Sequence, residues 1–432
     1  MKTSMYRKIV AIGMCATMAL SAGSGIAFAE SEELGTISKD GRKVIDWHAS
    51  YLNGDVTTKF ADLYNQSQDE VYVEVTDGAY GSTSEYFEAL AVNAASGEGW
   101  DIFSMSSAYF NKYAGSGIAY NVDDYILNND DVKEYAKEAV SRDGHAYAFP
   151  ATNDVIGLFV NTDMLEGSGH TLDDLKTWDG MLSVAADISK KYDNYGCLTN
   201  VDFGGGYAEY LWYSTMWSAG GDINSDLSGN ITVTNPDGVA KGAEMYRDLI
   251  TGEGGSSEFN NDIDYFVNGM CGMVITGQTG LFLIDQAEAD FNWTFVPIPA
   301  GDTNQSYATL GGWFVFVNAN SKYAREAADF LNWLYFDSDY VAELCNANFQ
   351  LSPLNSADKK LDSLYVDTKF KLAYDLIQSG AIKCKAELAF DSEVLEAIGE
   401  MLSAVVFDTT THEEAVECVN TFIETVGATV AE

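Results

Sequence analysis

The acidic residue Asp154 is the strongest candidate for a functional group, because of its place in the sequence. It follows the polar residues Thr152 and Asn153 and directly precedes the apolar run 155–160. That run is short and rich in β-branched and aromatic residues, which predicts a buried strand after a polar loop. A carboxylate at the mouth of such a strand is costly to desolvate unless it has a partner. The partner is either a ligand or a donor group of the protein, and the local sequence leaves both alternatives open.

The elements that would position Asp154 follow an α/β pattern. Strands alternate with helices at a spacing that predicts mostly parallel sheets flanked by helices. Residues 295–299 contain two prolines, which favours a connection over a central strand. The predicted strands span residues 44–47, 71–75, 100–103, 145–149, 155–160, 231–234, 270–276 and 313–317. The predicted helices span residues 57–64, a segment after Ser84, 178–191, 237–250, 259–268 and 324–335.

Length and charge limit the class of protein. The chain has 432 residues, enough for two domains with sizeable cores. Its formal net charge of −41 argues against nucleic acid or an anionic membrane surface as partner, because each would be repelled.

The N-terminus carries an export signal. The cations Lys2, Arg7 and Lys8 precede the apolar stretch 9–22, and small residues end at Ala29. This order is typical of a signal peptide spanning residues 1–29. The expected location is the periplasm or the extracellular face of the cytoplasmic membrane.

The processing site has one alternative. A lipid anchor at Cys15 is disfavoured, because Met14 fits poorly before a lipid-modified cysteine, whereas small residues precede cleavage after Ala29. Residues 30–39 are polar and predict a flexible tether.

Common catalytic and metal motifs are missing from the sequence. It contains no Gly-Lys pair for a P-loop and no G-x-S-x-G elbow, and its 4 histidines lie far apart. The cysteines after residue 29 are odd in number and form no C-x-x-C pair, which argues against a disulfide framework or a zinc ribbon. We therefore expect no catalytic residues, no cofactor and no metal. A glycosidase needs only two carboxylates, so this class stays open.

Aromatic residues beside glycines suggest a different kind of site. Trp313 follows Gly311 and Gly312, which would let a ligand or a backbone approach closely. A flat apolar ring beside carboxylates suits a sugar, whose C–H face is apolar and whose rim bears hydroxyl groups. Most aromatic residues are expected in the core, including Trp212, Trp293 and Trp333.

The chain resembles the extracellular solute-binding proteins of carbohydrate ABC importers, the group that contains maltose-binding protein. The resemblance covers nearly all of the chain after the signal, and it rests on the order and spacing of many weak landmarks. In chain order these are residues 100–102, Asp143-Gly144, Tyr147, Pro150, Asn161, Thr177-Trp178, Gly220-Gly221, 266–269, Met273, 297–299, 311–313 and 327–330.

The resemblance implies an α/β, two-lobed periplasmic-binding-protein-like fold of type II. Each lobe would be a mostly parallel sheet flanked by helices, with the ligand cleft at the hinge. The N-lobe would comprise residues 40–152 and 298–336, and the C-lobe residues 153–297 and 337–432.

The resemblance also implies a set of ligand-binding residues. Asp154 would accept sugar hydroxyls, Glu209 and Tyr210 would provide an acid and a stacking ring, and Trp313 another ring. Gln278 falls where maltose-binding relatives often place Trp, which argues against a maltodextrin ligand. Residues 348–353 correspond to a cleft-lining loop. The remaining expected contacts are Tyr51, Ser106, Ser107, Tyr109 and Gly312.

The function that the resemblance implies is capture of a carbohydrate, expected to be an oligosaccharide, and its delivery to the permease of an ABC importer. The protein would act as a monomer and catalyse no reaction. Three alternatives stay open: a carbohydrate-active enzyme using Asp154 and Glu209, a protein reporting its ligand to a membrane sensor, and a carrier of a non-sugar solute.

Overall fold

A computed structural model describes most of the chain. It covers residues 39–50, 52–76, 86, 89–90, 92–93, 99–204, 206–258, 262–365 and 368–431. The predicted signal peptide, nearly all of the predicted tether and most of the helix predicted after Ser84 lie outside the described residues.

The strands follow the predicted order closely. Their bounds are β1 Lys43–His48, β2 Val71–Thr76, β3 Ile102–Ser106, β4 Ser141–Arg142, β5 His145–Ala146, β6 Phe149–Asn161, β7 Tyr195–Leu198, β8 Asp222–Ser225, β9 Ile231–Thr234, β10 Cys271–Gly277, β11 Trp293–Val296, β12 Tyr307–Val317, β13 Lys383–Ala386 and β14 Thr429–Ala431.

The helices alternate with these strands. Their bounds are α1 Gly54–Ser67, α2 Phe110–Gly115, α3 Asp123–Ile126, α4 Glu134–Ala139, α5 Thr162–Gly167, α6 Trp178–Tyr192, α7 Tyr207–Ser218, α8 Pro236–Thr251, α9 Asp262–Val267, α10 Thr279–Gln286, α11 Ala324–Asn332, α12 Tyr340–Asn348, α13 Asn355–Tyr365, α14 Lys371–Gln378, α15 Ser392–Asp408 and α16 His412–Val426. Short 3-10 helices span Ser107–Tyr109 and Leu172–Leu175, and a π-helical turn spans Trp333–Asp337.

Nine strands of the described chain form one mixed sheet. Its order is β2-β1-β3-β12-β6-β10-β7, with β11 paired to β6 and β13 paired to β12. The flanking pairs β1–β2, β1–β3 and β10–β7 are parallel, as the strand–helix alternation predicts. The central strands β6 and β12 run antiparallel to each other and to their other neighbours β10 and β3. The α/β prediction is confirmed.

The long strand β6 differs from the prediction around Asp154. Residues 152–154 are part of this strand instead of a loop before it. The reason is pairing: Asp154 lies opposite Gly311 and Asn153 opposite Gly312 on β12, so the backbone stays extended through the polar residues. Gly312 has a φ of +146°, and a Cβ there would lie 2.0 Å from the Thr152 carbonyl oxygen. Only glycine permits this close pairing.

A second difference concerns residues 295–296. They belong to β11, which pairs antiparallel with the second half of β6. The prolines at 297 and 299 follow the strand, so they do not interrupt its hydrogen bonding.

Two hydrophobic clusters stabilise the fold. The larger is built from both halves of the sheet and the helices that cover it. The second lies among α7, α8, α15 and α16, where Trp212 is fully buried. The predicted core residue Trp293 is also buried, at 8% exposure.

Cys345, Cys384 and Cys418 carry free thiols in the described chain. Among the described residues, no helix combines the length and apolarity needed to cross a membrane.

Candidate functional site

A cavity of about 460 Å³ lies where β3, β6 and β12 meet the start of α7. Its walls combine aromatic rings, glycine backbone and two carboxylates, which is the chemistry expected for a sugar site. The lining residues are Ser106, Ala108, Tyr109, Asp154, Gly206, Tyr207, Tyr210, Tyr213, Gly277, Gln278, Thr279, Gly311, Gly312, Trp313, Glu387, Leu388, Phe390, Ser392 and Leu395.

Asp154 projects into this cavity from β6. The side-chain amide of Gln350 donates to both of its carboxylate oxygens, at 3.2 and 3.1 Å. Burial raises the pKa of Asp154 to about 6, and the bonds from Gln350 oppose that rise. The Nε2 of Gln278 also donates to Oδ1 of Asp154, at 3.5 Å, so two glutamine amides hold the carboxylate while it faces the cavity. It remains available to accept further hydrogen bonds from a ligand, because two carboxylate oxygens offer about four acceptor positions.

Gln278 lines the cavity, but its amide is largely used by the protein. Its Oε1 accepts from the backbone N–H of Val155 at 3.0 Å. Its Nε2 donates to the carbonyl oxygens of Asn153 and Phe349, each at 3.3 Å. Gln278 thus ties the strand beside Asp154 to the loop that carries Gln350.

Trp313 forms one wall of the cavity together with residues from β3. It lies opposite Ser106 in the antiparallel pairing of β12 with β3, and both residues line the cavity half-buried. Tyr109 lines it from the 3-10 helix that follows β3. A half-exposed indole beside hydroxyl groups can cover the apolar face of a sugar ring.

The tyrosines of α7 form an opposing aromatic surface. The rings of Tyr207 and Tyr210 are stacked, with centroids 6.1 Å apart and planes inclined by 20°. The Tyr210 hydroxyl accepts from the Gly311 N–H and donates to the Thr309 carbonyl, both at 3.3 Å. Tyr210 is therefore fixed by the backbone of β12 and offers its ring to the cavity.

Glu209 does not line this cavity. It is fully buried, and its carboxylate accepts from the backbone N–H groups of Gly204 and Gly206 at 2.6 and 2.8 Å. The bond from Gly206 is the glutamate half of a capping box at the start of α7, since Gly206 has no side chain to return a bond. The position of Glu209 therefore does not support the ligand contact expected from the sequence. The backbone N–H groups at the start of the helix bind this acid instead, because it is the third residue of the helix.

Ser107 reaches the site through another residue. Its hydroxyl donates to the carboxylate of Glu387, which follows β13 and lines the cavity. Burial raises the pKa of Glu387 to about 7; the bond from Ser107 opposes the rise, and the charge of Asp154 adds to it. The two carboxyl groups are therefore close enough to interact within one cavity.

The electrostatics of the cavity are set by these two acids. No Lys, Arg or His occurs among the described residues that line it. Burial raises the pKa of both acids, so each keeps its proton to a higher pH than an exposed carboxyl group does. In the described part of the chain, no group of three or more His, Cys, Asp or Glu side chains is arranged to hold a metal ion.

The structure brings together most of the residues expected from the sequence. Seven of them share the cavity: Ser106, Tyr109, Asp154, Tyr210, Gln278, Gly312 and Trp313. Ser107 acts on it through Glu387, Glu209 lies outside it, and Tyr51 lies outside the described residues. The predicted loop 348–353 supplies Gln350.

Sequence reasoning missed Glu387 and Tyr207. Glu387 is a single acid flanked by Ala386 and Leu388, the same signal of an acid among apolar residues that identified Asp154. The strand β13 that positions Glu387 has only 4 residues, too few for a local pattern to predict a strand there.

Comparison with known proteins agrees with this architecture. A solved structure, the cyclic alpha-maltosyl-1,6-maltose binding protein from Arthrobacter globiformis, is 19% identical, and the match covers 89% of this chain and 99% of that one with a TM-score of 0.74. At that identity the likeness shows the fold, and it confirms the expected type II periplasmic-binding-protein architecture.

Two curated relatives are similar over part of their length. A maltotriose-binding protein from Pyrococcus abyssi is 20% identical over 314 residues, 70% of this chain and 64% of the relative. A probable ABC transporter-binding protein from Deinococcus radiodurans is 29% identical over 216 residues, 44% of this chain and 47% of the relative. The chain thus spans about two thirds and about half of the lengths of these relatives.

The family comparison covers about as much of the chain as the first relative does. The model of a family described as bacterial extracellular solute-binding protein matches residues 59–363, most of the chain. The chain belongs to this family of bacterial extracellular solute-binding proteins.

Proposed function

We propose that this protein is an exported binding protein that captures a carbohydrate, an oligosaccharide by preference, and delivers it to the permease of an ABC importer. The observation that carries the proposal is the cavity in which Trp313 and the ring of Tyr210 lie with the carboxylate of Asp154. Aromatic rings cover the apolar faces of a sugar, and carboxylates accept its hydroxyl donors. The maltotriose-binding and transporter-binding relatives support the same assignment.

The proposed working cycle is the closure of two lobes around a ligand. Residues 40–152 with 298–336 form one lobe and residues 153–297 with 337–432 the other, and the ligand closes them around the cavity. The monomeric, closed protein is then recognised by the permease, because the ligand binds that state more tightly. Residues 1–29 direct export, and cleavage after Ala29 is favoured over a lipid anchor at Cys15.

A thermal-shift screen tests the carbohydrate assignment. The protein is heated with glucose, maltose, maltotriose, maltotetraose, xylotriose and mannotriose at millimolar concentration. A ligand present at 100 times its Kd stabilises the folded state by about 2.7 kcal/mol, so at least one glycan should raise the melting temperature by several degrees. If none does, while an amino acid, peptide or polyamine does, the protein carries a non-sugar solute.

One observation favours a second candidate, a carbohydrate-active enzyme. Asp154 and Glu387, and not the expected pair of Asp154 and Glu209, share the cavity with raised pKa values. Two carboxyl groups with different affinities for protons are what glycoside hydrolysis requires. Chromatography of glycans after prolonged incubation distinguishes the two: intact glycans support binding alone, and shortened products support the enzyme. A reporting role towards a membrane sensor would leave the glycans intact as well, and binding to a purified permease separates it from transport.

A further inference from the structure

A second cavity of about 290 Å³ adjoins the first, and we refer to it as the second chamber. The two share three lining residues, Glu387, Leu388 and Phe390. The second chamber is otherwise lined by Asn111, Glu138, Arg142, Asn224, Ser225, Lys385, Ala386 and Ala389. Arg142 and Lys385 give the second chamber two cations, whereas no Lys, Arg or His is among the described residues that line the first cavity. Cations are scarce in this protein, whose net charge is −41.

Arg142 is the cation whose guanidinium makes no close carboxylate contact among the described residues, although the charge of the adjacent Asp143 acts on it. Its Nη1 donates to the carbonyl oxygens of Glu138 and Ser141, at 3.1 and 2.7 Å, and its guanidinium lies 5.1 Å from the centre of the Phe110 ring. Among the described residues it forms no salt bridge, whereas Lys385 is paired with Asp222 at 2.8 Å. Burial lowers the pKa of Arg142, as expected for a cation withdrawn from water. A desolvated cation is stabilised strongly by an anion that shares its cavity.

Asn111 contributes an acceptor to the same chamber. Its side chain is only 9% exposed, and its Nδ2 donates to the carbonyl oxygens of Ser225 and Ala389 at 3.2 and 3.0 Å. These bonds fix the orientation of the amide. Its Oδ1 is buried and has no hydrogen-bond partner. Such an acceptor is costly to leave unpaired, and a hydroxyl group of a ligand would satisfy it.

Building on the proposed function, we propose that the ligand is an acidic oligosaccharide whose uronic-acid unit occupies the second chamber. Its carboxylate would pair with the guanidinium of Arg142, because two parallel N–H groups of a guanidinium match the two oxygens of a carboxylate. One of its hydroxyl groups would donate to Oδ1 of Asn111. The adjoining neutral unit would then lie in the first cavity against Trp313. The carboxyl groups of Glu138 and Glu387 line the same chamber and would oppose an anion, so the pairing requires that the ligand carboxylate lie closer to Arg142 than to either acid.

The test compares matched neutral and acidic sugars by titration calorimetry at physiological salt. The pairs are cellobiose with cellobiouronic acid, xylotriose with its glucuronic-acid-branched form, and galactotriose with trigalacturonic acid. In at least one pair the acidic member should bind tenfold or more tightly than the neutral one. The preference should disappear in Arg142→Gln and persist in Arg325→Gln, a control at an exposed arginine outside both cavities.

Three results would overturn the inference, and a second variant covers the case in which the first does not fold. Equal or tighter binding of every neutral member overturns it and leaves the carbohydrate function standing. Equal weakening of the neutral and acidic members in Arg142→Gln shows a structural role for the arginine. If Arg142→Gln does not fold, Arg142→Lys replaces it in the test, because lysine keeps the charge without the forked guanidinium. Arg142→Lys should bind the neutral sugars as tightly as the unmodified protein does and should show a smaller preference for the acidic sugars. Failure of every glycan to bind the unmodified protein refutes the proposed function together with this inference.

Discussion

The side-chain amide of Gln350 holds both carboxylate oxygens of Asp154, although the two residues are far apart in the sequence. They meet because Asn153 and Leu351 exchange two backbone hydrogen bonds, of 2.8 and 2.9 Å, beside them. The same loop accepts a bond from Gln278 at the Phe349 carbonyl. The acid that we assign to the ligand is thus oriented by residues that follow it by about two hundred positions in the chain.

Replacement of Gln350 by alanine should weaken ligand binding without removing the acid. Loss of the two amide donors would raise the pKa of Asp154 further, so less of it would be ionised at neutral pH. We expect about 1 kcal/mol of lost affinity, roughly fivefold, measured by calorimetry at pH 7. The matched control is Gln378→Ala, which removes a similar bond to Asp358 outside the cavity. Equal affinities in the two variants would contradict the account.

Truncation of Trp313 should affect binding much more than stability. The indole is half-buried at the cavity wall, and its removal should cost about 2 kcal/mol of binding energy, roughly thirtyfold in affinity. Trp333 serves as the control, because its ring packs 5.0 Å from that of Tyr64 outside the cavity. Trp333→Ala should lower the melting temperature and leave the affinity unchanged. If Trp313→Ala lowers only the melting temperature, Trp313 is a core residue.

Glu209→Gln should destabilise the fold and spare the site. The buried carboxylate accepts two backbone N–H groups with its two oxygens, and a Gln amide has only one oxygen to accept them, so the free energy of unfolding should fall by about 1–3 kcal/mol. Glu414→Gln changes a capping box at the exposed start of α16 and should cost less. Denaturant unfolding and calorimetry measure both quantities. A variant of Glu209 that keeps its stability and loses its affinity would restore the ligand role expected from the sequence.

The two acids should make the unliganded protein less stable as pH rises. Their pKa values in the folded state, about 6 for Asp154 and about 7 for Glu387, lie above the ordinary values of 3.8 and 4.5. Between these limits the folded state binds more protons than the unfolded state, so the free energy of unfolding falls with increasing pH.

The double variant Asp154→Asn, Glu387→Gln tests this relation. The quantity to follow is the free energy of unfolding of the variant minus that of the unmodified protein. This difference should grow by an amount on the order of 1–3 kcal/mol as the pH rises from about 4 to about 8. Denaturant unfolding at several pH values gives the difference directly. Parallel pH profiles for the two proteins would show that neither acid titrates as described.

Much of the fold was predictable because its elements carry strong local patterns. The apolar run 155–160 and the amphipathic run 237–250 both form elements at the expected places. The polar start of β6 was not predictable, since its strand conformation depends on pairing with Gly311 and Gly312 of a distant strand.

The candidate site was predictable only in part for the same reason. Asp154 and Trp313 are marked by their neighbours in the sequence, and both line the cavity. Glu209 has the same residue type as a ligand-binding acid, but its position at the third residue of a helix directs it to the backbone. Glu387 enters the site through the parallel pairing of β13 with β12, which no local pattern reveals.

The most direct test of the central claim is titration calorimetry of Asp154→Ala beside the unmodified protein, with the glycan that gives the largest thermal shift. The account predicts saturable binding at one site and a loss of about 1.5–3 kcal/mol in the variant, roughly ten- to a hundredfold in affinity. An unchanged affinity in a variant that is fully folded would contradict it, because Asp154 would then lie outside the site that holds the sugar.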